Sequence, residues 1–194
     1  MTLKQIALAA LVATGALAGT AQAAGVMGTG SVALVGVTGT PSGTINLGTT
    51  FSFALSLWSS GTNNFTIIPA ATVLTTGSIT ATTGSAVSFS SSFGTFSGSV
   101  LAANANGAIT NRIVDLYALG NFTPLGVLGA FTPAPMSLTF SATQTGGPTG
   151  AISASYTISS PPAPLVTVPE PGALALVGIA LAGLAMARRQ AKKA

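Results

Sequence analysis

The stretch TFSFALSLW, residues 50–58, alternates apolar side chains with small or hydroxyl-bearing ones. Successive side chains of a β-strand point to opposite faces, so this pattern predicts a strand with one face on a hydrophobic core. The predicted core face carries Phe51, Phe53, Leu55 and Leu57, and the opposite face carries Thr50, Ser52, Ala54 and Ser56. Trp58 ends the stretch on the predicted polar face, where it either contacts a glycan or caps the core.

Similar alternation recurs along the chain, in SVALVGV (31–37), GTFSGSVLA (94–102), NRIVDLYAL (111–119), MSLTFSA (136–142) and AISASYTIS (151–159). Turn-forming clusters separate these segments, namely TGTPSG, SGTNN, NANG and QTGGPTG. Short β-prone runs with no helical periodicity between them are typical of an all-β sandwich or barrel. We expect an antiparallel β-sandwich, jelly-roll-like or immunoglobulin-like, over residues 24–160.

The composition excludes most catalytic chemistry. The chain of 194 residues has no cysteine and no histidine, and only 4% of its residues are charged. Between the two ends of the chain, the charged residues of the predicted domain are Arg112 and Asp115. A nucleophile–histidine triad, a thiolate and a pair of catalytic carboxylates are therefore excluded. We expect no catalytic residue, no metal, no cofactor and no nucleic-acid partner.

Arg112 and Asp115 are three residues apart in a predicted strand. An odd separation places two side chains on opposite faces, so we expect no ion pair between them. Asp115 either contacts a polar ligand or keeps an edge strand from aggregating.

The first 23 residues have the three parts of a secretory signal peptide in order. Lys4 supplies a positive charge, residues 6–19 are apolar, and Ala21-Gln22-Ala23 fits the small-x-small cleavage pattern. We expect an N-terminal signal helix that signal peptidase removes after Ala23.

The end of the chain has the pattern of a membrane segment. A proline-rich linker over 161–168 leads to the apolar run 172–187, which predicts a single transmembrane helix. Basic residues follow this run as a stop-transfer cluster, at Arg188, Arg189, Lys192 and Lys193. Because positive charges stay on the cytoplasmic side, the domain is expected on the periplasmic side of the inner membrane.

The last 27 residues combine VPEP (168–171), the apolar run and the cluster ARRQAKK (187–193). This combination resembles the PEP-CTERM sorting signal of Gram-negative bacteria, over residues 169–194. The resemblance implies recognition of Pro169, Glu170 and Pro171 by exosortase, removal of the tail, and delivery to the cell surface or an exopolysaccharide matrix. The body of the chain resembles predicted secreted PEP-CTERM proteins more weakly, and that resemblance implies no activity.

These observations lead us to expect an exported, non-enzymatic protein of the cell surface or the extracellular matrix, associated with exopolysaccharide. Its inner-membrane anchor is expected to be transient. The alternatives are a membrane-anchored periplasmic glycan-binding module and, less favoured, an exported hydrolase. Self-assembly through exposed strand edges is a further alternative, since the chain has so little charge.

Overall fold

The computed structural model describes residues 24–164, which form β-strands and two short 3-10 helices. The strands are β1 Gly28–Val35, β2 Thr38–Thr40, β3 Thr50–Ser52, β4 Leu55–Gly61, β5 Val73–Thr76, β6 Ile79–Thr80, β7 Ala86–Ser91, β8 Gly94–Ala108, β9 Asn111–Pro124, β10 Ala134–Thr145 and β11 Ile152–Ser160. The 3-10 helices are Asn63–Ile67 and Gly126–Leu128. No helix among these described residues is long and apolar enough to cross a membrane. The predicted signal helix and the predicted transmembrane helix 172–187 both lie outside the described residues.

Eight of the strands close into a barrel in the order β1-β11-β10-β9-β8-β7-β5-β4, and β4 returns to β1. Each pairing in this barrel is antiparallel. The short strands β2, β3 and β6 form a separate sheet of three. The all-β, antiparallel prediction is confirmed, whereas the predicted sandwich, jelly-roll-like or immunoglobulin-like, is wrong because the sheet closes on itself.

The physical reason for this error is that alternation reports which face of a strand is buried, but not which strand is its neighbour. A sandwich and a small barrel both need side chains that alternate between inside and outside. Closure depends on β1, which pairs with β11 on one side and with β4 on the other. Register shifts between Ser31 and Val32 and between Val100 and Ala102 add local bends of the kind that help a sheet to curl.

The stretch 50–58 divides between the two sheets. Thr50–Ser52 is β3, and β4 begins at Leu55. Phe51 is fully buried as predicted, but in β4 the buried residues are Ser56 and Trp58, and Leu55 is 38% exposed. The predicted inner face is therefore wrong for this second half, because the break between the strands resets the alternation.

Aromatic side chains fill the interior of the barrel. Phe89 stacks on Phe96 at a centroid distance of 5.6 Å and on Tyr156 at 6.1 Å. Phe122 lies 6.3 Å from Phe89 and is fully buried. Burial of each such ring contributes roughly 2–3 kcal/mol, so this cluster is a major source of stability in a domain with almost no charge.

Trp58 depends on glycines that leave room for its indole ring. The ring packs against Phe93 at 5.1 Å and against Phe65 at 5.8 Å. Gly30 of β1 and Gly61 of β4 are register partners beside it. A Cβ added at Gly30 would lie 1.9 Å from the Trp58 ring, and one added at Gly61 would lie 2.8 Å from it. The two glycines therefore set the size of the pocket that holds the tryptophan.

We predict that Gly30→Ala lowers the free energy of unfolding by at least ~2 kcal/mol, because the added methyl group overpacks the Trp58 ring. Gly77→Ala is the matched control, since its Cβ would meet no ring and would lie 3.2 Å from the Ser88 hydroxyl and 3.6 Å from the Ser88 carbonyl oxygen. We expect that control to cost less than ~1 kcal/mol. Urea denaturation of both variants measures the difference, and equal losses would contradict the packing account.

Candidate functional site

The two ends of the domain meet at one end of the barrel. Gly28, the first residue of β1, is paired with Ser160, the last residue of β11. The Ser160 hydroxyl donates a hydrogen bond to the Val26 carbonyl at 2.6 Å. Further along, the Ala24 carbonyl accepts a hydrogen bond from the Thr132 N–H at 3.2 Å. The segments that precede β1 and follow β11 therefore start side by side.

Residues 161–163, which we term the exit segment, are held against the outside of the barrel. The Ala163 N–H donates to the Ser137 hydroxyl of β10 at 2.9 Å, and the Tyr117 hydroxyl of β9 donates to the Ala163 carbonyl at 2.6 Å. The Ser159 hydroxyl donates to the Pro161 carbonyl at 2.9 Å. The exit segment thus crosses from β11 over β10 towards β9, and its direction is fixed as far as Ala163.

An apolar cleft of about 270 Å³ lies where the two ends meet. It is lined by Ala24, Gly25, Val26, Met27, Ala134, Pro135, Ser160, Pro161 and Pro162. None of these lining side chains ionises, so the cleft offers no acid, base or charged ligand for catalysis. Its chemistry suits apolar contacts only.

Hydroxyl groups predominate on the outer surface of the neighbouring strands β10 and β11 and continue to Ser31 of β1. We call this surface the hydroxyl face, and it consists of Ser31, Thr139, Ser141, Thr143, Ser153, Ser155 and Thr157. Register aligns Ser31, Thr157 and Thr139 in one row across β1, β11 and β10. The row continues to β4, where the Ser60 hydroxyl lies 3.2 Å from that of Ser31. Neighbouring rows are roughly 7 Å apart along the strands, and the strands that a row crosses are roughly 5 Å apart. The alternation of Ser and Thr in residues 137–145 and 153–159 was the sequence signal for this surface.

Arg112 and Asp115 lie on opposite faces of β9, as predicted, because Val114 and Leu116 alternate with Asp115 and point inward. The Arg112 guanidinium donates to the Gly107 carbonyl at 2.8 Å and to the Asn46 amide oxygen at 2.7 Å. The arginine therefore ties a loop to the β8–β9 hairpin.

Asp115 is half-buried on the outer surface between neighbours Asn104 and Ser141. Its strand is paired on both sides, so the prediction of an edge-strand residue is wrong. No cluster of three or more metal-ligating His, Cys, Asp or Glu side chains occurs within residues 24–164.

Trp58 is 1% exposed, so its ring is not accessible to a glycan. The prediction of a glycan contact at this residue is therefore wrong. The alternative prediction, that it caps the core, agrees with its packing against Phe65 and Phe93. The Trp58 indole nitrogen is buried and has no hydrogen-bond partner among the described residues.

The remaining predicted site residues lie outside the described residues. These are the cleavage residues Ala21 and Ala23, the motif Pro169, Glu170 and Pro171, and the basic cluster Arg188, Arg189, Lys192 and Lys193.

Comparison with protein families settles the nature of the C-terminal segment. A family model described as the PEP-CTERM protein-sorting motif matches residues 167–190. The chain carries a PEP-CTERM sorting motif. The match includes Pro169, Glu170 and Pro171, so the resemblance read from the sequence is confirmed. No curated protein and no solved structure matches the chain at a significant level.

The PEP-CTERM motif implies an exported protein that exosortase processes and that is sorted to the cell surface. In this chain the motif begins a few residues after the exit segment. The exit segment therefore fixes the point on the barrel from which the chain runs towards its sorting motif.

Tyr156 is the buried ionisable side chain of the barrel interior. Burial raises the pKa of the Tyr156 phenol well above its usual range, and the hydrogen bond with the Thr76 hydroxyl, at 3.0 Å, acts in the opposite direction. Burial dominates, because a phenolate in an apolar interior loses its solvation by water. The phenol stays neutral and serves the core.

The raised pKa of Tyr156 predicts a loss of stability at alkaline pH. Above about pH 10 the unfolded chain releases this proton while the folded chain keeps it, so the free energy of unfolding falls by ~1.4 kcal/mol per pH unit. Tyr156→Phe should remove this pH dependence. At neutral pH it should lower the free energy of unfolding by about 1 kcal/mol, because the hydrogen bond with Thr76 is lost. Thr76→Val is the control, since it removes the partner but keeps the phenol and the slope. Denaturant titrations between pH 8 and about pH 11 measure both effects, and a wild-type slope in Tyr156→Phe would contradict this assignment.

Proposed function

We propose that this protein is a non-enzymatic component of the cell surface or extracellular matrix that associates with exopolysaccharide. In this proposal signal peptidase cuts after Ala23, and the run 172–187 then holds the chain briefly in the inner membrane with the barrel on the periplasmic side. Exosortase next processes the chain at the Pro-Glu-Pro motif and releases the barrel towards the surface. The observation that carries the proposal is the PEP-CTERM motif at residues 167–190, which follows a barrel with only one acidic and one basic side chain.

The residues around the motif support processing at this position. Pro169 and Pro171 cannot donate a helical hydrogen bond, and each disfavours a helical conformation at the residue before it. A processing enzyme requires an extended, accessible backbone, and these prolines favour one. The basic cluster 188–193 supports retention of the tail end on the cytoplasmic side.

The composition supports a role without catalysis. The chain has no histidine and no cysteine, and the barrel contributes one acid and one base, Asp115 and Arg112. Arg112 is engaged by Gly107 and Asn46, and the two charges lie on opposite faces of β9. Their placement therefore does not support general acid–base catalysis by these two side chains on one substrate.

The hydroxyl face supports association with a neutral or anionic polysaccharide. Its serine and threonine side chains donate and accept hydrogen bonds, as sugar hydroxyls do. The near absence of charge means that a polyanionic matrix neither attracts nor repels this surface strongly. Repeated rows of hydroxyls allow a repeating polymer to bind by many weak contacts, and such contacts add up when they are linked.

We predict that the mature protein from its own host lacks both ends, because signal peptidase and exosortase each remove a segment. Intact mass spectrometry of wild type, with and without the exosortase of the host, measures this. An alanine replacement of the Pro-Glu-Pro motif (169–171) should keep the tail as loss of exosortase does. Pro162→Ala/Pro164→Ala is the control, since it removes prolines of the linker and leaves the motif intact.

A mass that still includes residues 188–194 in every strain would contradict exosortase processing. It would make the tail a permanent anchor and the protein a membrane-anchored periplasmic module, which is the alternative function.

We further predict that a triple variant of the hydroxyl face, Ser31→Ala/Thr139→Ala/Thr157→Ala, lowers retention of the protein in the exopolysaccharide fraction of the host. Removing these three hydroxyls of one row should weaken binding by about ten-fold, if each lost hydrogen bond contributes about 0.5 kcal/mol. The matched control, Ser88→Ala/Ser90→Ala/Thr95→Ala, removes three exposed hydroxyls from β7 and β8. Equal retention of both variants and wild type in a sedimentation assay would contradict binding through this face.

A further inference from the structure

Strand β8 is longer than the strand that pairs with its outer side. β7 pairs only with Gly94–Ser99 of β8, and Val100 then exchanges hydrogen bonds with Gly84 and Ser85. Beyond Val100, Leu101 lies in the register shift and residues 102–108 are paired with β9 alone, and within the described chain no backbone group of another strand or loop forms a hydrogen bond with residues 101–108 on the open side. We call these eight residues, LAANANGA, the free edge.

The free edge lacks the features that usually protect a strand edge from pairing. Natural edges carry lysine, proline or inward-pointing charges, or are very short. This one contains no charged residue and no proline, and its register shift lies at its start, between Val100 and Ala102. Apolar side chains are exposed at its two ends, since Leu101, its first residue, is 45% exposed and Ile109, directly after it, is 64% exposed. Apart from the Gly107 carbonyl, which accepts a hydrogen bond from Arg112, the N–H and C=O groups on its open side have no partner in the described part of the chain and can pair with another strand.

A groove runs beside the free edge. Its walls are Ala103 on the edge and residues 81–83 on the facing loop, and Leu47, which is 55% exposed, also lines it. The volume of about 270 Å³ is open to solvent. A strand paired with the free edge would lie roughly 4.8 Å from β8, on the side of this groove.

We propose that the free edge binds the free edge of a second copy of this chain, with the two strands antiparallel about a two-fold axis. Antiparallel edges of identical sequence are self-complementary, so one surface serves both partners. The sheet then continues from β9 and β8 of one copy into β8 and β9 of the other. This proposal is independent of the sorting route and of the exopolysaccharide role.

The charge distribution favours a second copy as the occupant. The described residues carry one cation, Arg112, and one anion, Asp115. Two copies of the domain therefore associate without a net electrostatic repulsion. Arg112 lies at the Gly107 end of the free edge. With the two-fold axis at Asn104, antiparallel pairing puts the two Gly107 ends roughly 20 Å apart along the strands, beyond the ~8 Å screening length at physiological salt. An acidic or basic partner would find no complementary charge on this edge.

Cysteine cross-linking tests the pairing, because the chain has no cysteine of its own. With the two-fold axis at Asn104, near the midpoint of the free edge, the two copies of Asn104 lie directly opposite each other, and their side chains point to the same face of the joined sheet. Cross-strand neighbours have Cβ atoms about 5 Å apart, which allows a disulfide after small movement. The full-length Asn104→Cys chain should therefore form a disulfide-linked dimer on oxidation. Asn106→Cys, further from the axis, should form less.

Ser97→Cys is the matched control, since Ser97 is also exposed on β8 but pairs with β7 and β9 on its two sides. Dimer from Asn104→Cys without dimer from Ser97→Cys supports the proposal. Equal dimer from both, or monomer from Asn104→Cys, overturns it.

Substitutions that add charge to the free edge provide a second test, which needs no covalent cross-link. Asn104→Lys/Asn106→Lys places like charges opposite each other in the dimer and should raise its dissociation constant at least ~10-fold in sedimentation equilibrium. Thr95→Lys/Ser97→Lys adds the same charge to the paired half of β8 and should leave the dissociation constant unchanged. An equal effect of both double variants would show that net charge, and not this edge, controls association, and would overturn the proposal.

Discussion

The pairing of β1 with both β11 and β4 is the constraint on which the rest of the structure depends. β1 meets β11 over seven residue pairs and meets β4 through a ladder with one register shift. Without β1, the outer sides of β4 and β11 would both be open edges, and the interior would face solvent along that seam. The same pairing sets Gly28 against Ser160 and so brings the two ends of the domain together. The pairing that closes the barrel therefore also determines where the two ends of the domain lie.

Burial and backbone pairing, with almost no help from charge, hold this barrel together. The aromatic cluster around Phe89 occupies the centre, and the pocket between Gly30 and Gly61 holds Trp58 near the end where the chain enters and leaves. The polar interactions inside are specific and few. Gln144, which is 2% exposed, accepts from the Ile45 N–H at 2.9 Å and donates to the Gly43 carbonyl at 3.0 Å, and so fastens a loop at the opposite end.

The sequence allowed prediction of the strands but not of their neighbours. Five of the alternating segments correspond to β1, β8, β9, β10 and β11, because alternation is a local property of a half-buried strand. Local signals failed where tertiary pairing decided the outcome. NANG, residues 104–107, has turn-forming residues, yet β8 continues through it to Ala108 because β9 pairs with it throughout. Trp58 was assigned to the wrong face because β3 and β4 belong to different sheets. The sorting motif was predictable because a processing enzyme reads a short linear segment, and such a segment does not depend on long-range contacts.

The path of the exit segment determines how the barrel bears mechanical load. A protein attached to a surface through residues beyond Ala163 is pulled at that point whenever the surrounding medium moves. The pull reaches the Ala163 hydrogen bonds to Ser137 and Tyr117 first, and so enters the sheet through β10 and β9. These two strands are paired over twelve residues, whereas a pull applied directly at Ser160 would act on the last residue of β11. The exit segment thus transfers force from the terminal strand, where peeling begins most easily, to the longest ladders of the barrel.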